Sequence, residues 1–369
     1  MNLKKEAIKL HEKLKGKIEI KPKIKIDQKN LSLLYTPGVA EVVSLISKNK
    51  KDIYKYTGKG NSVAIISDGS RVLGLGNKGG ESALPVMEGK ALIYKQYGNV
   101  DAIPICLKTQ NKDEIIKIVE NISLNFGAIN IEDIEAPKCF YIVDKLTKKL
   151  DIPVFHDDQH GTAVVVLAAL LNALKLVKKN LSKVKIVVLG AGAAGYGITN
   201  LLVYAGAKNI LVLDSKGIIS KKRNDLNKYK LRLARLTNSN NLSGDLNHAI
   251  KNADIFIGVS GQKNILTKGL ISLMNKDKII FALSNPDSEI LPAEAKKFGV
   301  RIIATGRSDF KNQVNNSVVF PFIMRKILDK KIKKIDLGLM YTTALNVAKN
   351  IKNLSYDKII PLISEIKIK

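Results

Sequence analysis

The chain has 369 residues, 45% hydrophobic and 25% charged, an ordinary balance for a globular protein and enough length for two domains with full cores. Its 61 Lys and Arg against 33 Asp and Glu give a net charge of +28, but the lysines are spread among Ile and Asn along the whole chain. That spread fits a compositional bias better than the clustered basic-aromatic footprint of a nucleic-acid binder, so no nucleic-acid partner is expected.

The first residues, MNLKKEAIKLHEKLKGK, read as an amphipathic basic helix; a signal peptide would need an apolar stretch there. Beyond residue 31 apolar runs alternate with helical patterns. Strands are predicted over 63–67, 100–105, 128–131 and 153–155, and helices over 39–47, 80–97, 112–121 and 137–150. Such alternation predicts a mostly parallel sheet with crossover helices. A long apolar helix over 162–178 bridges into a second half. Its apolar core, 163–174, is interrupted by Asn172 and is shorter than the roughly 18 residues that span a bilayer, so no membrane partner is expected. Cys106 and Cys139 sit in apolar surroundings without metal-like spacing, as core thiols of a reducing compartment do; the cytoplasm is the expected location.

Two acidic doublets, Glu132-Asp133 and Asp157-Asp158, lie just beyond predicted strands. Four carboxylates at neighbouring strand ends repel one another unless a cation joins them, and oxygen-only ligands point to Mg²⁺ or Mn²⁺ rather than zinc. Carboxylates capping helices at Gly161 and Glu135 would account for one doublet but not both.

The second half restarts the alternation, with strands over 184–189, 209–213, 254–259, 279–283 and 301–304. A polar excursion covers 215–245, and helical periodicity begins at Pro321. The first of these strands runs into Gly190-Ala-Gly-Ala-Ala-Gly195, followed by a helix over 193–204, with Asp214 closing the next strand about 20 residues on. A lone GxGxxG is weak, but strand, loop, helix and acidic residue here occur in the dinucleotide-binding order. Gly190, Gly192, Ala193, Ala194 and Gly195 would let a pyrophosphate approach the helix N-terminus. An acid at 214 would accept from a ribose hydroxyl and repel a 2′-phosphate, which favours NAD over NADP, although Ser215, Lys216 and Lys221 could serve a phosphate instead. The fold class is therefore α/β: an N-terminal domain with a mostly parallel sheet over 1–155, and a Rossmann-type domain with C-terminal helices over 156–369.

Several strings then resemble the malic enzyme family in its short bacterial form. They are Leu34-Tyr-Thr-Pro-Gly-Val-Ala-Glu41, Ser67-Asp-Gly-Ser-Arg-Val-Leu-Gly-Leu-Gly-Asn77, Pro85-Val-Met-Glu-Gly-Lys90, Asn130-Ile-Glu-Asp133 and Phe155-His-Asp-Asp-Gln-His-Gly-Thr162. Ala282-Leu-Ser-Asn-Pro286, Ala304-Thr-Gly-Arg-Ser-Asp309 and Asn312-Gln-Val-Asn-Asn316 continue the match. The resemblance implies oxidative decarboxylation of L-malate to pyruvate with reduction of NAD(P)⁺, and a homodimer or higher homo-oligomer. It implies Glu132, Asp133 and Asp158 as metal ligands with Asp157 beside them, Lys90 as general base and Tyr35 as general acid. It places Arg71 on a substrate carboxylate, and Asn285 and Asn315, with Asn316 as the neighbouring alternative, on substrate or the nicotinamide end. His156 and His160 are expected to be polar framework. A malolactic or oxaloacetate-decarboxylating relative would use the same residues.

Overall fold

The computed structural model describes residues 3–366. Two parallel sheets stand one in each half of the chain. The first has strands β1 (Ser62–Ser67), β2 (Asp101–Cys106), β3 (Ala128–Ile131) and β4 (Val154–His156), in the order β2-β1-β3-β4. Every pairing is parallel, so each strand needs a crossover, and helices cover the faces. The central strands are therefore apolar without alternation: all of β1 and β3 is buried, whereas the edge strand β2 is half exposed.

The second sheet has β5 (Lys185–Leu189), β6 (Asn209–Asp214), β7 (Gly217–Ile218), β8 (Ile255–Gly258), β9 (Ile279–Ala282) and β10 (Ile302–Thr305), ordered β10-β9-β8-β5-β6-β7. Only β7 is antiparallel. The chain winds outward from β5 to β6, then returns to β8 on the other side of β5. That reversal is the switch point at which doubly wound sheets open a crevice beyond their strand ends. The 215–245 stretch contributes β7 and a helix, Lys228–Leu236, whose N-cap Asn227 accepts from Tyr229 N and Lys230 N.

One continuous core runs through both halves, from Val63 to Ile360. Its spine is Thr162–Leu176, which packs against Ala193–Tyr204 and Leu337–Lys349. Each fully buried leucine on it, such as Leu167 or Leu170, contributes about 1.5–3 kcal/mol. With the turn before it this helix runs Asp157–Leu176, 20 residues at mean hydropathy 1.3, long and apolar enough to cross a membrane by length and composition. The helix is longer than the expected apolar run because the polar residues 157–161 join its start. Of its apolar window, 72% is buried inside the protein, as in a core helix.

The N-terminal arm is built differently. Helices Leu3–Leu14, Gln28–Leu34 and Val39–Lys48 contain no buried residue. They leave Leu3, Leu33 and Val43 more than half exposed.

Candidate active site

Glu132 and Asp133 follow β3 directly, and Asp157 and Asp158 follow β4. The parallel register places Ile131 opposite His156, so both doublets leave the sheet at the same end. There, one oxygen each from Glu132, Asp133 and Asp158 lies within 4.8 Å of the others. Glu132 and Asp133 are buried, and Asp133 Oδ2 has no hydrogen-bond partner. Burial and the neighbouring carboxylates push the Asp133 carboxyl up to about 7 and raise Glu132 well above the carboxylate range. An orphaned buried oxygen in a cluster of three mutually repelling carboxylates fits a hard divalent cation.

Asp157 and Asp158 are adjacent but part company because residues Asp157–Gly161 form a single π-helical turn. Asp158 joins Glu132 and Asp133 in the trio. Asp157, fully buried, meets Lys90 instead. Gly161 is required here, since a Cβ would sit 1.9 Å from Asp157 Oδ1.

Lys90 stands on the helix Gly79–Gly98 and is buried. Its ammonium donates to Glu132 Oε1 at 2.7 Å and to Asp157 Oδ2, and it rests 4.3 Å from the centre of the Phe320 ring. Burial alone would lower its pKa, but Asp157 and Glu132 outweigh that and raise it. Lys90 is thus held protonated, the reverse of the depressed pKa expected of a base, because both its partners are anions.

The sequence did not point to Tyr94, Asn130 or Phe320. Tyr94, one turn beyond Lys90, donates to Asn130 Oδ1 at 2.6 Å, and Asn130 Nδ2 donates to Glu132 Oε2 at 2.9 Å. Tyr94 also packs at a tilt against Phe320, with centroids 4.7 Å apart and ring planes at 60°. The i, i+4 spacing of Lys90 and Tyr94 on one helix face was the available signal.

The glycine loop has the form a dinucleotide needs. Gly190 adopts φ +118, and a Cβ there would strike Val259; a Cβ on Gly195 would lie 1.8 Å from Gly190 O. Gly192 faces open space, free for a close backbone approach. Ala193 and Ala194 begin the helix Ala193–Tyr204. These features fit a pyrophosphate cradle. Asp214 closes β6, but Arg223 grips its carboxylate at 2.8 and 3.1 Å and Lys230 at 2.6 Å, holding its pKa below the usual range.

Arg71 is exposed, and its backbone N–H donates to Asp133 O at 3.0 Å. Asn285 is exposed near the start of the loop after β9, beside Gly74 of the first half and Gly306. Asn315 accepts from Ser317 N and so caps a short 3₁₀ turn, while Asn316 packs on the π turn at Gly161. His156 and His160 are both buried; His156 N donates to His160 Nδ1, and burial pushes His160 down to about 3. Both serve as neutral framework. Tyr35 is 69% exposed on the N-terminal arm, and no hydrogen bond or ring contact joins it to Lys90 or the carboxylates.

An acidic trio at the end of one parallel sheet and a glycine cradle at the end of a doubly wound sheet define a two-domain oxidoreductase with an NAD-binding domain. The family models described as malic enzyme, N-terminal domain and malic enzyme, NAD binding domain match residues 15–147 and 159–368. The bifunctional malic/malolactic enzyme of Bacillus subtilis is 47% identical over 98% of this chain and 89% of its own length. The NAD-dependent malic enzyme of Geobacillus stearothermophilus is 47% identical over 96% and 74%. The crystal structure of the NAD-dependent malic enzyme of Thermotoga maritima superposes with a TM-score of 0.94 at 48% identity, covering 98% of this chain and 96% of that one. The chain belongs to the malic enzyme family.

Proposed function

We propose that this protein oxidatively decarboxylates L-malate to pyruvate and carbon dioxide while reducing NAD(P)⁺. The observation that carries this reading is the convergence of Glu132, Asp133 and Asp158 within 4.8 Å, beside the buried Lys90, in a chain of this family.

Glu132, Asp133 and Asp158 would hold Mg²⁺ or Mn²⁺. When bound, that ion supplies Lewis-acid polarisation of the malate hydroxyl, and the dinucleotide accepts the hydride. Were Glu132 to hold that cation, Lys90 would keep only one of the two carboxylates that hold its proton, and its basicity would fall towards what a general base requires. Asp157 then remains as the acceptor that orients Lys90 and takes part of the charge when the hydroxyl proton arrives. Tyr94 and Asn130 fix the far oxygen of Glu132. Arg71 suits a substrate carboxylate through its bidentate fork. Asn285 and Asn315 suit the substrate or the nicotinamide end, where neutral amides position an anion without competing for it.

Tyr35 is assigned the general-acid role, protonating the enolate carbon, on its motif. In a single chain its ring is exposed on an arm whose apolar side chains lie uncovered. A second copy of the chain would cover such a surface, which supports a homo-oligomer as the working form. Free Cys106 and Cys139 suit a reducing cytoplasm.

The test is an assay with malate, Mn²⁺ and each nicotinamide cofactor, in which reduced cofactor, pyruvate and lactate are all measured. Equal amounts of pyruvate and reduced cofactor support the reading. Lactate without net reduced cofactor would replace it with malolactic chemistry, and no turnover of malate would end it.

A further inference from the structure

We propose that Arg223, Lys216 and Lys230 form a seat for the 2′-phosphate of NADP⁺, whose outer edge the carboxylate of Asp225 occupies, so that the chain takes NADP⁺ in preference to NAD⁺. The inference rests on the dinucleotide reading of the glycine loop and deepens it.

An acid at the end of the second strand favours NAD only if it has lone pairs to offer the ribose diol. Asp214 has none. Its Oδ1 accepts from Lys216 N at 2.9 Å and Arg223 Nη1 at 2.8 Å, and its Oδ2 accepts from Arg223 Nη2 at 3.1 Å and Lys230 Nζ at 2.6 Å. Those bonds fill the four lone-pair sites of a carboxylate. The Asp214 side chain is also only 7% exposed, against 16% for Arg223 and 29% for Lys230. Its part is to hold Arg223 and Lys230 in place.

The outer side of the same guanidinium carries a second carboxylate. Asp225 Oδ1 accepts from Arg223 Nε at 2.9 Å, Asp225 Oδ2 from Arg223 Nη2 at 2.8 Å, and Lys216 Nζ lies 3.0 Å from Oδ2. This is a bidentate anion contact completed by an ammonium, the arrangement that suits phosphate oxygens. Asp225 lies on an exposed part of the polar stretch between β7 and the helix Lys228–Leu236, two residues from the guanidinium it grips. It is held by side chains alone.

A phosphate monoester carries about −1.5 to −2 charges at pH 7 against −1 for Asp225. The dianion therefore gains more from Arg223, Lys216 and Lys230 than the carboxylate it would displace. Lys221 and Lys222, both exposed, add to the field. On this proposal the NAD-favouring reading of Asp214 gives way to the phosphate alternative already offered by Lys216, because cations 2 to 16 residues further along the chain surround the carboxylates.

Isothermal titration with adenosine 2′,5′-bisphosphate and adenosine 5′-monophosphate tests this without malate turnover. The unmodified protein should bind the bisphosphate at least about tenfold more tightly than the monophosphate, and Arg223→Ala should remove most of that advantage while leaving monophosphate affinity within about threefold. Lys230→Ala should act in the same direction, which keeps the test alive if Arg223→Ala folds poorly. Asp225→Asn should tighten the bisphosphate and leave the monophosphate unchanged. Equal affinities in the unmodified protein, parallel losses for both probes in the Arg223 and Lys230 variants, or no gain in Asp225→Asn would overturn the seat. Failure of both probes to bind would instead overturn the dinucleotide reading of the loop beneath it.

Discussion

Gly74 lies so close to Asn285 that a Cβ at position 74 would stand 2.0 Å from the Asn285 carbonyl oxygen. The first residue belongs to the VLGLGN loop of the N-terminal half, the second to the turn after β9 in the C-terminal half. Backbone touches backbone between the two halves, and no side chain can yield.

Gly74→Ala should therefore push the two loops apart and loosen the site between the halves. Overpacking of this kind costs about 1–3 kcal/mol. The two loops also carry Arg71 and Asn285, the expected substrate contacts, so kcat/KM for malate should drop by about tenfold or more, at about 1.4 kcal/mol per decade. Steady-state kinetics with a thermal melt checks it: a loss of stability with unchanged kcat/KM would place the contact outside the working cleft.

Lys90→Ala should lower kcat for malate by about 10²- to 10⁴-fold, the range of a single general acid–base group. It also leaves Glu132 and Asp157 buried without their cation, and breaking a buried pair from one side costs about 3–5 kcal/mol. Glycine-loop binding of adenosine nucleotides should be unchanged, which separates lost chemistry from lost fold. Turnover near that of the unmodified protein would remove Lys90 from the mechanism.

Asp158→Ala should weaken the response to Mn²⁺ more than it weakens the fold, because Asp158 is a partly exposed member of the trio with no direct hydrogen bond to Lys90. Saturating Mn²⁺ at about 100 times its Kd stabilises a protein by about 2.7 kcal/mol. Thermal shift against Mn²⁺ should show that gain in the unmodified chain and need far more metal in the variant. Identical titrations would move the ligand set elsewhere.

Glu289 gives a pH dependence away from the carboxylate trio. It is fully buried; burial raises its pKa, against the opposing hydrogen bonds from Ser284 Oγ at 2.5 Å and Ser284 N at 3.2 Å. A carboxyl whose folded pKa lies above its unfolded value binds more protons when folded. Its contribution is complete below the unfolded pKa of 4.5 and is lost as pH rises through the folded value. Glu289→Gln resembles the protonated acid and lacks that loss. Melting temperatures measured from pH 4.5 upward should fall in the unmodified protein relative to the variant, and parallel profiles would contradict the assignment.

The parts of this molecule that were legible in its sequence are those fixed by local pattern. Buried parallel strands must be apolar on both faces, so β1, β3 and β5 stood out as runs, and a carboxylate directly after such a run marks a strand end. The glycine loop was legible because Gly190 and Gly195 answer to backbone contacts a few residues or one strand away. What escaped depends on partners far along the chain. Asp157 and Asp158 look equivalent as a doublet, and only the π turn gives one to Lys90 and the other to the trio. Tyr94 and Asn130 meet 36 residues apart, and Phe320 reaches Lys90 from the other half of the chain. The Lys90 ammonium, likewise, could not be read as carboxylate-bound until both its partners were placed.

The central claim is that Glu132, Asp133 and Asp158 hold one hard cation where malate is oxidised. The most direct measurement is an anomalous difference map from crystals soaked in MnCl₂ with malate. The account predicts a single strong manganese peak within coordination distance of oxygens from all three residues, beside Lys90. A peak elsewhere, or none at this cluster in crystals that turn malate over, would contradict it.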